Sequence, residues 1–229
     1  PPLPPVMVAD LRWQGGAGWG AQGGGFTSFD QTVASGYADG KSVIFDISGQ
    51  NTQPIQLSGA LRPSVVYVVN PKGHDYTFAG SGTLAGEMEL WKSQQGTATF
   101  ACDLAFTGRT VVSEGTLCLN GTVAGPIELR GKGTLAGTGT LNGDMAFEAA
   151  LNYEGCRIMP GSQDDGFGTL TFGKSLVLPG DVYVEIRAAE GQSAKVMVNG
   201  DLTLEGRNHF TMAFEGDALA AGRYVLAEC

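Results

Sequence analysis

The run FTGRTVVSEGTLCLNG, residues 106–121, decides how this chain folds. It holds two short segments, Thr110-Val111-Val112 and Thr116-Leu117-Cys118-Leu119, set off by Gly108, Gly115 and Gly121. Three or four apolar or β-branched residues between glycines make a strand, since a helix needs a longer periodic run. The tripeptide Gly115-Thr116-Leu117 recurs as Gly-Thr-Leu at Gly82, Gly133, Gly139 and Gly168, each time opening a strand-like run. The copies are unevenly spaced, so the repeat is real but its period is loose. No such unit can bury its own Leu and Val side chains. Coiling the chain so that each unit lies on the one before would join them into one continuous core.

The same pattern extends in both directions. Strand-like runs cover residues 42–47, 64–69, 76–78, 97–100, 126–129, 145–153, 169–172, 175–178, 182–186, 195–198, 201–204 and 210–214. Most alternate apolar with polar or Thr, which buries one face, and Gly, Asn or Asp punctuates nearly every gap. Helical periodicity is almost absent; the best window, residues 214–221, contains Gly216 and ends against Gly222. Thr suits such strands through its β-branching and can hydrogen-bond along a stack. These features predict an all-β chain, a stacked solenoid in the first instance, with a β-sandwich as the alternative. A sandwich would space its strands more evenly and need longer crossing connections.

Composition narrows the function classes. Of 229 residues, 42% are hydrophobic, only 16% are charged, and 36 are Gly; an ordinary globular chain is about 25% charged. The net charge of −9 makes nucleic acid a poor partner, because that binding is driven by neutralising phosphates. No apolar run reaches the length of a membrane span. Cys102, Cys118, Cys156 and Cys229 match no metal-ligand spacing and read as small buried apolar residues, with a Cys102–Cys118 disulfide as the lesser alternative. Residues 1–12, opening PPLPPV, read as a Pro-rich linker and residues 13–229 as one domain. The closing RYVLAEC, residues 223–229, reads as a strand cut short, so the sequence predicts a piece of a longer protein.

Four segments resemble the autotransporter-associated β-strand repeats of bacteria: WQGGAGW (13–19), GKSVIFD (40–46), YTFAGSGTLAG (76–86) and the opening run 106–121. The last is similar to that family's Y-T-G-x-T-x-V-x-x-G-T-L-x-L-N-G core. The resemblance implies a right-handed single-stranded parallel β-helix with an N-terminal cap, exported to the surface or periplasm and outer membrane of a Gram-negative bacterium. It implies a structural or accessory module of a larger secreted protein, carried beside a glycan-degrading enzyme. Its partners would be neighbouring domains of the same polypeptide and polysaccharide. The alternatives are a carbohydrate-binding module, a catalytic β-helix lyase or hydrolase, and an adhesin passenger fragment.

Candidate chemistry is sparse, and the residues imply no cofactor and no metal. Asp164-Asp165 sits in a Gly-flanked loop and reads as a solvated turn rather than a Ca²⁺ site, which needs about six to eight oxygens. Glu87 and Glu89 share a strand face without a partner carboxylate in view. His74 beside Asp75, and His209, lack a nucleophile motif. The Gly-rich run 18–25 lacks the G-K-[ST] of a phosphate loop. Trp91, Trp13 and Trp19 are the candidate carbohydrate-stacking residues, with Trp13 and Trp19 alternatively closing the N-terminal end of the stack.

Overall fold

The computed structural model describes residues 9–16, 18–21, 23–50, 52–148, 155–162, 165–189, 192–214 and 227–229. They are all-β, and no helix occurs among them. Three parallel ladders carry the architecture. The first runs through Leu11–Trp13, Val43–Asp46, Val65–Val69, Glu89–Ser93, the first halves of Thr110–Leu119 and Ile127–Gly137, and Met145–Glu148. The second runs through Ile55–Leu57, Tyr76–Gly80, Thr97–Phe100, the second halves of the same two long strands, Arg157–Pro160, Tyr183–Ala189 and His209–Phe214. The third joins Ala60–Leu61, Thr83–Leu84, Leu104, Thr122–Val123, Thr140–Leu141, Thr169–Phe172, Lys195–Val198 and Ala227–Glu228.

Register stacks like on like. The third ladder aligns Leu61, Leu84, Leu104, Val123, Leu141, Phe172 and Val198 in one column, every member buried. The chain between successive members is shortest from Val123 to Leu141 and longest from Leu141 to Phe172, so connection length varies while register holds. In the second ladder Phe78 stacks on Phe100 with centroids 4.5 Å apart and an 8° interplanar angle. These columns belong to one buried cluster reaching from Leu11 to Val198. The uneven spacing of the Gly-Thr-Leu copies follows from the ladders. Those at Gly115 and Gly133 are in register on the second ladder, whereas those at Gly82, Gly139 and Gly168 lie on the third. The copies at Gly115 and Gly133 are in register one step apart and those at Gly82 and Gly139 in register three steps apart; the last copy slips out of register, because Thr140 pairs with Thr171 rather than Thr169.

The parallel ladders replace the antiparallel layers that a sandwich requires. Antiparallel pairing among the described residues is confined to Leu11–Trp13 with Phe26–Ser28, Phe26–Ser28 with Ala34–Ser35, Tyr183–Ala189 with Gln192–Ser193, and an isolated Gly137–Gly161 bridge. Two runs read as separate strands, 110–112 and 116–119, are one strand, Thr110–Leu119, that passes from the first ladder to the second with a register shift between Val112 and Glu114. Arg157–Pro160 is a strand that its sequence, RIMP, does not announce. Leu11 and Arg12, placed in the linker by composition, are strand residues, tied down by the Arg12–Asp46 ion pair at 2.6 Å. Phe214, the first residue of the helical window at 214–221, ends a strand; the rest of that window, the end of the 145–153 run, Asp164 and most of 223–229 lie outside the described residues.

Glycine serves the corners through space more than through backbone angle. A Cβ on Gly125 would collide with the carbonyl oxygen of Gly108, one on Gly143 with that of Gly125, and one on Gly108 with that of Met88. None of the three has a positive φ. They form a column along which neighbouring backbones approach too closely for any side chain. Gly115 adds the other use, with φ at +72° where the chain turns between ladders.

Two inward positions of the first ladder break the apolar rule, Thr110, in register between Leu90 and Ile127, and the charged Lys92. Lys92 stands in register between Val68 and Val112 and is 1% exposed. Its Nζ donates to the carbonyls of Ser93 at 2.9 Å, Gln94 at 2.6 Å and Glu114 at 3.3 Å, so the turn before Gly96 and the turn at Gly115 share one ammonium. Burial draws its pKa down from 10.5 to about 8.

Two outcomes test this packing. Gly125→Ala forces a carbonyl collision and is expected to destabilise by about 1–3 kcal/mol or more in urea unfolding, while Gly24→Ala, with nothing within 4 Å, changes stability by under about 0.5 kcal/mol. For Lys92, the unfolded chain binds more protons than the folded chain between pH 8 and 10.5, so stability gains with rising pH in that window. Relative to Lys92→Met, the wild type is expected to gain up to about 3 kcal/mol across it, with a flat difference below pH 8.

Candidate functional site

The three tryptophans occupy different settings. Trp13 and Trp19 are both 0% exposed. They pack edge-on against Phe26, at 5.0 and 5.8 Å between centroids, and against Phe45 at 5.7 and 5.3 Å. The Trp13 indole N–H donates to the Gln50 carbonyl at 3.0 Å. These rings fill the interior beside the first strand of the first ladder and leave no face for a sugar, which corrects the expectation that they stack on one.

Trp91 lies on the outer column of the first ladder, between Tyr67 and Val111, and is half-buried. Its indole N–H donates to Glu89 Oε2 at 2.9 Å. The guanidinium groups of Arg109 and Arg130 lie over the ring at 5.1 and 5.7 Å. Arg109 pairs with Glu89 at 2.9 Å, and Arg130 with Glu128 at 2.7 Å and Glu148 at 3.0 Å. The ring is thus held by cation–π contacts whose cations are themselves neutralised. A sugar would have to displace a guanidinium to reach it.

A long concavity lies on the second ladder. Outward positions there form two columns, Thr97–Thr116–Thr134–Arg157–Tyr183–His209 and Thr99–Cys118–Ala136–Met159–Glu185–Thr211. A groove of about 590 Å³ runs over them, lined by Asp75, Thr97, Thr116, Ala136, Met159 and Glu185, with Arg187 beyond. Ligand clefts commonly have volumes of about 300–1,000 Å³. Gly161, Ser162 and Gly166 form one wall. That wall is built by Asp165, which accepts from the Ser162 hydroxyl at 2.5 Å and the Phe167 N–H at 2.9 Å; these bonds hold its carboxyl below the usual range. Beside the floor, Arg157 lies over Tyr183 at 5.3 Å and Tyr183 stacks on His209 at 4.4 Å with a 10° angle. Arg157 also pairs with Glu185.

The groove holds two carboxylates, Asp75 and Glu185, at opposite ends. Their strands are separated by five steps along the ladder, from Tyr76 through Ala98, Leu117, Leu135 and Ile158 to Val184. At roughly 4.8 Å per step that is roughly 24 Å, against the about 5–10 Å that a glycosidase pair spans. Asp75 caps the Thr97 N–H at 2.7 Å.

The remaining candidates separate rather than converge. Glu89 serves Trp91 and Arg109, while Glu87 lies outside the strand Glu89–Ser93. The His74 ring meets the Gly49 carbonyl at 2.9 Å and the Tyr76 hydroxyl at 3.3 Å, and Asp75 turns away to Thr97. All four cysteines are free thiols; Cys118 aligns with Thr99 and Ala136 and not with Cys102. Among the described residues no group of three or more His, Cys, Asp or Glu is placed to hold a metal, and no helix is long and apolar enough to cross a membrane. Met159, Glu185, Arg187 and the Arg157–Tyr183–His209 stack escaped the sequence reading. Alternation within 182–186 marks Tyr183 and Glu185 as one face, but nothing local aligns that face with Arg157 and Met159. No protein-family model matches the chain, and the search of curated proteins found no match.

Thiol reactivity checks this placement. Burial pushes the thiols of Cys102, Cys118 and Cys156 up to about 11, while Cys229 is exposed. A disulfide reagent at pH 8 is expected to titrate Cys229 rapidly in the native protein and the other three only after denaturation.

Proposed function

We propose that this chain is a right-handed single-stranded parallel β-helix serving as a non-catalytic structural or accessory module. In this reading it belongs to a larger secreted or surface-exposed protein of a Gram-negative bacterium and is carried beside a glycan-degrading domain. The observation that carries the non-catalytic part is that Asp75 and Glu185 belong to coils five ladder steps apart, roughly 24 Å along the ladder, and each is already held by a neighbour. Rigidity follows from register: each coil satisfies the backbone of the next, as in Leu104 N to Thr122 O at 2.8 Å and Ala124 N to Leu104 O at 3.0 Å. The repeats at residues 76–86 and 106–121 support the coiled form and the exported setting through their resemblance to autotransporter-associated repeats. Its partners are then neighbouring domains of the same polypeptide.

Incubating the chain with neutral and uronic polysaccharides, and measuring reducing ends and unsaturated products, tests the reading. The expected release equals that of buffer alone. Product formation that Glu185→Gln or Asp75→Asn abolishes would overturn it.

A further inference from the structure

We propose that the groove over the outer columns of the second ladder binds an extended segment of neutral glycan. Its floor reaches from the Thr97 strand to the strand His209–Phe214, five steps or roughly 24 Å, which suits a run of sugar rings better than a single one. Polar and apolar groups alternate along that length. Thr97 and Thr116 present hydroxyls at one end, Ala136 and Met159 an apolar middle, and Glu185 and Arg187 a polar far end. Met159 is 39% exposed, and its unbranched thioether offers the adaptable apolar surface that the face of a pyranose needs.

Other ligand classes fit less well. An extended peptide lying along the groove runs across the strands and cannot add to them: the floor strands are hydrogen-bonded on both sides except His209–Phe214, which among the described residues pairs only with Tyr183–Ala189. A polyanion meets a chain of net charge −9 and a groove whose described lining carries the carboxylates Asp75 and Glu185 as well as Arg187. What remains is a ligand recognised through hydroxyls and apolar ring faces. The site is distinct from Trp91, whose ring lies under Arg109 and Arg130.

Affinity electrophoresis of the intact chain in gels containing mixed-linkage β-glucan, arabinoxylan, galactomannan, soluble α-glucan or polygalacturonate tests the proposal. At least one neutral glycan is expected to retard the protein and polygalacturonate is not. Met159→Glu should weaken the effective affinity by about tenfold or more, and Trp91→Ala should leave it unchanged. A second measurement needs no variant: peroxide oxidation of Met159, read by peptide mass spectrometry, should slow in the presence of the retarding glycan, while buried Met88 stays unreactive with or without it. The proposal is overturned by no retardation in any neutral glycan, by retardation in polygalacturonate, by loss of binding in Trp91→Ala but not in Met159→Glu, or by an unchanged Met159 oxidation rate.

Discussion

Everything in this molecule depends on backbone-to-backbone pairing between strands that are distant in the chain, as along the Leu84-to-Val198 column of the third ladder. Most strands are short, and even Thr110–Leu119 and Ile127–Gly137 divide between two ladders, so each ladder segment buries little by itself. Its apolar side chains leave water only when the strand before and the strand after lie in register above and below. Because the spacing between paired strands is set by hydrogen bonds at about 4.8 Å, corners must be as thin as the strands. Gly108, Gly125 and Gly143 meet that demand by having no Cβ to separate the layers.

The same constraint divides the residues into two populations. Inward columns are closed to solvent and chemically quiet: Leu on Leu, Phe78 on Phe100, and thiols pushed up by burial. Lys92 is the charged inward exception, and its ammonium stays only because three backbone carbonyls point at it. Among the ladder positions, the outward columns are the ones open to other molecules. Two of these are distinctive. On the first ladder, Trp91 is locked under arginines that are already paired. On the second, small side chains at Thr116 and Ala136 leave a trough, with Glu185 and Arg187 at one end.

The three tryptophans show how far residue type alone carries a functional reading. In sequence all three are candidates for stacking on sugar, with Trp13 and Trp19 alternatively closing the N-terminal end of the stack. In the folded chain Trp13 and Trp19 are buried among Phe26, Tyr37 and Phe45, and Trp91 donates its N–H to Glu89. The pair at 13 and 19 sits in WQGGAGW, and glycines elsewhere in the chain allow its close packing: a Cβ on Gly25 would press on the Trp13 ring, and one on Gly49 would do the same. Reading that crowding needs residues 25 and 49 to be near residue 13, which is a tertiary fact.

Local composition was sufficient for the all-β class, for most strand positions and for the burial of Cys102, Cys118 and Cys156, but it also read Cys229 as buried, and Cys229 is exposed. Alternation, β-branching and glycine act within a few residues, so a linear reading captures them. The ladder on which each Gly-Thr-Leu copy would fall, the passage of Thr110–Leu119 between two ladders, and the strand character of Arg157–Pro160 were not legible there. Nor was the groove that sets Met159 beside Glu185 and Ala136. These depend on register between segments joined by connections of unequal length. Register is decided by hydrogen bonds and side-chain stacking between distant strands, which no window of sequence contains.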